Sequence, residues 1–115
     1  MTTFTEALRS GEFIIAEANG SLSREEVTIA AAATALVAGT VMGKITASGK
    51  YVAYANGASD GTEVAAGILY AAVADSAADQ KGVLIVRHAE VEESQLTGID
   101  ANGKVDLAAN QIIFR

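Results

Sequence analysis

Short apolar runs divided by glycine-bearing turn dipeptides recur from Thr40 to the C-terminus, and this punctuation constrains the fold more than any other feature of the chain. Thr40 to Thr46 and Lys50 to Tyr54 are β-prone runs joined by Ala47-Ser48-Gly49, a connection of hairpin length. Asn56-Gly57 and Asp60-Gly61 mark a surface loop, because both dipeptides supply the positive-φ positions that tight turns use. From Val64 to Val73 the chain is apolar throughout except for Tyr70, which predicts a strand covered on both faces. Ala74 to Gly82 reads as a second loop, and Val83-Leu84-Ile85-Val86 as a central strand. Ala89 to Glu93 alternates, with Val91 opposed to Glu90 and Glu92, so one face of that strand is expected to meet solvent. Asp100 to Asn110 holds the turn dipeptide Asn102-Gly103 and then Val105, Leu107 and Ala108, which leave room for one short helical turn; Gln111 to Arg115 closes as a strand. Five to seven short strands with little helix predict a mostly β fold, a small barrel or compact mixed sheet rather than βαβ units.

Upstream the pattern is weaker. Between Val27 and Val37, Ala30 to Ala33 favour helix whereas Val27, Thr28, Ile29 and Thr34 favour strand, and periodicity supports strand only over Val27 to Ala30. Residues 1–26 are interrupted by Ser10-Gly11 and Asn19-Gly20, and their one compact apolar cluster is Phe13-Ile14-Ile15. So few anchors cannot build a core, so this stretch is expected to be an arm that packs on a neighbour or stays mobile. The expected organisation is an arm over 1–26 and a single β-rich domain over 27–115.

At 115 residues the chain is long enough to bury roughly two-thirds of its unfolded surface, but too short for two cores. Half the residues are apolar and only 5% aromatic, so Ala, Val, Ile and Leu must fill the interior. Small side chains bury little area each, at about 25 cal/mol per Å², which makes self-association a reasonable expectation. A net charge of −6 is the wrong sign for gripping phosphate backbones, so nucleic acid is not an expected partner. The absence of cysteine removes disulfides, thiolate metal sites and thiol redox chemistry. The first residues lack the basic start and apolar run of a secretory signal, and Val27 to Gly43, the longest uncharged stretch, is short for a bilayer span of about 20 residues. No membrane association is expected.

Residues that carry chemistry elsewhere do not combine here. His88 is the only histidine, and no Gly-x-Ser-x-Gly elbow supplies a nucleophile beside it, so it reads as a strand-end residue. Gly39-Thr40-Val41-Met42-Gly43-Lys44 imitates a phosphate loop, but its glycines are one residue too close and Ile45 stands where a magnesium-binding hydroxyl is needed. It reads instead as a strand with a close-packing glycine. Glu90, Glu92 and Glu93 fall short of the six to eight oxygens that calcium usually takes, and are expected to form a solvated acidic edge that discourages aggregation. Asp75 and Asp79 read as loop solubility. No catalytic residue, cofactor or metal ligand is expected.

Three ordered phrases carry a resemblance. Ala38-Gly39-Thr40-Val41-Met42-Gly43-Lys44-Ile45-Thr46 followed by Gly49-Lys50-Tyr51-Val52, then Asp60-Gly61-Thr62-Glu63-Val64-Ala65-Ala66-Gly67-Ile68-Leu69, then Val83 to Val91, resemble successive segments of the phage head decoration protein family. The similarity covers roughly residues 25–100, and His88 departs from it, since that position is commonly small in the family. The resemblance implies a β-rich structural protein, not an enzyme, that forms homotrimers on the outer surface of an expanded virion shell after synthesis in the bacterial cytoplasm. It implies that the major capsid protein is the partner, and that an N-terminal segment orders on the shell and helps it resist internal DNA pressure. The arm residues expected to anchor there are Phe4, Leu8, Phe13, Ile14 and Ile15. The alternative reading is a β-module that carries a small ligand in a pocket between its glycine-rich strands.

Overall fold

The computed structural model describes residues 10–18, 22–32 and 34–115. The fold is mostly β, with 39% strand and 11% helix, and it has two parts. Strands β2 (Arg24–Ile29), β3 (Val41–Lys44), β4 (Tyr51–Ala53), β5 (Ala65–Leu69) and β6 (Gln80–Ile85) close a barrel in the order β2-β4-β3-β5-β6. Strands β1 (Ile14–Glu17), β7 (Ala89–Val91) and β8 (Ile112–Phe114) form a separate sheet in the order β1-β7-β8. A 3-10 turn over Glu93–Gln95 and helix α1 (Ala101–Ala108) connect β7 to β8.

The barrel closes through unequal seams. β2 and β6 pair antiparallel over six residues, from Arg24 opposite Ile85 to Ile29 opposite Gln80. β2 and β4 meet in parallel only at Ile29 and Tyr51, where Ala30 N donates to Tyr51 O at 3.0 Å. The predicted hairpin is present: β3 and β4 pair antiparallel, Lys44 opposite Tyr51. Strand alternation divides the apolar residues between two clusters. Val27, Ile29, Met42, Leu69, Leu84 and Val86 pack together with Tyr51, so every barrel strand or its flank contributes and side chains fill the lumen. Val41, Ile68 and Ile85, their neighbours in sequence, turn outward to meet Phe13, Ala89, Val91, Leu107 and Ile112 beneath the second sheet and α1. The double coverage predicted for the apolar run after Val64 follows from this: Ile68 belongs to one cluster and Leu69 to the other, and both are fully buried.

At Gly43 the barrel wall lies close against the following loop, and a Cβ placed there would stand 2.8 Å from both Cα and O of Thr62. The close-packing reading of that glycine therefore holds. Gly61, at φ 108°, takes the left-handed region expected of Asp60-Gly61, but neither Asn56 nor Gly57 has positive φ. The turn there is closed instead by Ala58 N donating to Ala55 O at 3.0 Å, a geometry open to most residues.

Several expectations need correction. Asn102-Gly103 is not a turn but the first turn of an eight-residue helix, since Asp100 caps it by accepting from Gly103 N at 2.7 Å. β7 is no acidic edge: it is flanked by β1 and β8, and its carboxylates are individually engaged. Glu90 accepts from Arg115 Nε at 2.8 Å, Glu93 pairs with Lys104 at 2.7 Å, and Glu92 accepts from Gln95 Nε2 at 3.1 Å. Asp79 does more than solubilise its loop: it pairs with Lys50 at 2.6 Å and accepts from Ala31 N, and these bonds hold its carboxyl below the usual range. The ambiguous stretch after Ala30 is extended where described, with Ala32 and Leu36 bridging antiparallel to Ser76 and Val73.

Candidate interaction surface

Each barrel strand has a neighbour on both sides, although β2 and β4 meet only at Ile29 and Tyr51, whereas among the described residues the outer strands of the small sheet have a partner on one side. There β1 pairs with β7, antiparallel, with Ile14 opposite Val91 and Ala16 opposite Glu90. The residue between them, Ile15, is an inserted bulge position, and it is 52% exposed. Beside it, Ala16, Glu90 and Ile113 form a cross-strand row on the outer face, because Glu90 is opposite Ile113 in the parallel β7–β8 pair. This row lies in a groove of about 400 Å³ that Ala18, His88 and Gln111 complete at one end. Ile113 is also 52% exposed.

The start of β1 is clasped to the barrel. Gly11 N donates to Tyr70 O at 2.8 Å, and Gly11 lies so close to the Tyr70 ring that a Cβ would stand 2.6 Å from it. The Arg24 guanidinium sits 4.1 Å from the centre of the same ring and reaches Glu17 with two bonds, Nη2 to Oε1 at 2.7 Å and Nε to Oε2 at 3.2 Å. At the other end of β1, buried Ser23 donates to His88 O and accepts from Ala18 N, both at 2.9 Å. The expected anchors are thus divided. The Phe13 ring is fully buried in its own core and is not free to insert elsewhere; the long-range pairing of β1 with β7 takes it there. Ile14 packs half-buried against the same cluster, Ile15 is available at the bulge, and Phe4 and Leu8 lie outside the described residues. Within the stretch expected to be an arm, Gly11 and residues 14–17 are thus bonded to the body. Nothing local foretold this, because the partners of residues 13–17 are some 75 positions away.

A second apolar area lies on α1. Val105 is 70% exposed, and Val64, which precedes β5, is exposed as well. Asp106 fixes the helix against the barrel by accepting from Ala65 N at 2.9 Å. At its start, the Tyr54 hydroxyl donates to Asp100 Oδ1 at 2.9 Å; burial first, and then this bond, push its pKa up to about 12.

The arrangement offers no catalytic geometry around His88. Its imidazole is exposed and bonds to no described residue, its backbone rather than its ring ties the β6–β7 corner, and nearby Glu90 is held by Arg115. Among the described residues no three His, Asp or Glu side chains converge as metal ligands, and no helix is long and apolar enough to cross a membrane. The described domain is thus a filled barrel that carries a small sheet, with shallow grooves on its surface. The family described as bacteriophage lambda head decoration protein D matches residues 3–112, nearly the whole chain, and the chain belongs to that family. Among curated proteins none matches it. Membership gives this protein a decorating role on the phage capsid, at the surface of the virion, and places it among structural proteins rather than enzymes.

Proposed function

We propose that the protein cements an expanded phage head as a homotrimer, with the free side of β1 and the residues before it adding as a strand to an exposed sheet edge of the major capsid protein. The outer side of β1, which pairs with no described strand, together with Ile15 exposed at its bulge, is the observation that carries this reading. Backbone pairing would give register and alternate side chains specificity. Phe4, Leu8 and Ile15 would supply apolar anchors, with Phe13 and Ile14 acting from beneath by holding β1 on the body. Fixing the backbone of any docking segment costs about 1–2 kcal/mol per residue, so a single contact of this kind binds weakly and three on one trimer gain by effective concentration. Val64, Val105 and Leu22 are exposed apolar side chains that subunit contacts in such a trimer would cover.

Deleting residues 2–9 tests the arm. The shortened protein should fold and stay trimeric by light scattering, yet no longer co-sediment with expanded heads. Undiminished binding would refute the arm reading, and a monomer at all concentrations would refute the trimer. Genome-filled heads should lose DNA at lower temperature when undecorated; equal release with and without the protein would remove the stabilising role.

A further inference from the structure

Asn56-Gly57 and Asn102-Gly103 are the same dipeptide in opposite chemical settings, and the two asparagines touch each other. We propose that Asn56 is a site of spontaneous deamidation through a succinimide, that Asn102 assists it, and that the fold protects Asn102 from the same reaction.

In this reaction the backbone N of Gly57 bonds to Cγ of Asn56 and gives up its proton. The Cγ–Nδ2 bond breaks, and ammonia leaves carrying a proton. Water then opens the ring at either carbonyl, leaving aspartate or isoaspartate and one additional negative charge. Three features at Asn56 favour it. Both residues are exposed, no atom lies within 4 Å of where a Gly57 Cβ would be, and Gly57 N donates to no described residue. The attacking nitrogen is therefore free and sterically open. The surrounding turn is closed by the single Ala58 N to Ala55 O bond, so the backbone can rotate into the attack geometry. Finally, Asn102 Nδ2 donates to Asn56 Oδ1 at 3.1 Å, which polarises the attacked carbonyl and stabilises the oxyanion of the tetrahedral intermediate.

At Asn102 the attacking nitrogen and the backbone around it are in the opposite condition. Gly103 N is committed to Asp100 Oδ1 at 2.7 Å, and Gly103 is buried against Tyr54 and Ile99 inside the first turn of α1. Helical backbone holds the nitrogen away from the Asn102 side chain, and misplacement of reacting groups of this order costs roughly 10²-fold in rate. Asn19-Gly20 lies outside the described residues.

The full-length protein, folded and incubated at mildly alkaline pH, provides the test. Trypsin separates the sites into peptides 51–81 and 88–104, so each can be followed by mass spectrometry for the amide-to-acid change and for isoaspartate. Peptide 51–81 should convert roughly 10²-fold faster than 88–104, and denaturant should bring the rates together. Gly57→Ala should stop the fast conversion. Asn102→Ala should slow it several-fold in the folded protein and leave it unchanged in denaturant, where loss of α1 removes the contact. Equal conversion of both peptides in the folded protein, or none at Asn56, would overturn the site assignment. An unaltered Asn56 rate in folded Asn102→Ala would overturn the assistance.

Discussion

The barrel and the three-stranded sheet solve the problem of β-edges in opposite ways. The barrel closes its strands on one another, so every one has two neighbours, and its lumen is filled by side chains from all five. Among the described residues, the small sheet leaves β1 and β8 without a partner along their outer sides, and its inner face is covered, with Phe13, Ala89, Val91 and Ile112 against the barrel wall. Closure stabilises but leaves nothing to pair with; an open edge risks aggregation and provides a docking template. The contrast teaches a division of labour within one small chain: the barrel holds the fold, and the sheet it carries is the part to which the proposed docking is assigned.

The largest effect should come from emptying either interior. Leu84→Ala within the barrel and Phe13→Ala beneath the sheet should each cost about 3–4 kcal/mol in urea denaturation, since both side chains are fully buried. A Phe13→Ala variant as stable as the parent would break the comparison, for Phe13 would then belong to a loose arm. Gly43→Ala should cost about 1–3 kcal/mol, because the new methyl meets Thr62 backbone and not a movable side chain. A neutral result would mean that the barrel wall is more pliant than its spacing implies. Asp100→Ala should cost about 1 kcal/mol by removing the α1 cap, with loss of the Tyr54 partner adding to it.

A smaller effect is expected with pH. The Tyr54 pKa is raised in the folded state to about 12 from an ordinary 10.0, so the folded protein keeps a proton that the unfolded chain releases. Stability from this group is complete below pH 10 and lost as pH rises toward 12. Comparing urea midpoints of the parent and Tyr54→Phe across that range should show the parent's advantage shrinking; a constant difference would remove Tyr54 as the cause. The smallest stability effect, within about 0.5 kcal/mol, should follow Ile15→Asp at the exposed bulge. The same change should abolish co-sedimentation with heads, and retained binding would shift attention from β1 to the Val64 and Val105 area.

The barrel was legible because its signals are local. Apolar runs at Val41–Met42, Ile68–Leu69 and Leu84–Ile85 alternate between two covered faces, and Gly43 and Gly61 stand where a tight approach and a left-handed turn require them. The family phrases lie along these strands. The candidate surface was less legible, because it depends on pairings between distant segments. Phe13-Ile14-Ile15 looks like one apolar cluster in the chain, but β1 pairing puts Phe13 in the core and Ile15 at the rim, with the bulge between Ile14 and Ala16 making the separation. Helix α1 was hidden for a similar reason: Asn102-Gly103 is a turn signal by itself, and only the Asp100 carboxylate, with Tyr54 behind it, converts it into a helix start.

Amino-acid order alone determined the mostly β character, the strand and turn spacing, the small-aliphatic interior and the family. Tertiary structure alone decided which strands close the barrel, that residues 10–17 belong to the packed body, and which backbone edge remains open. Propensity and periodicity are read over a few neighbouring residues, whereas an edge is open or closed according to whether some remote segment comes to lie beside it.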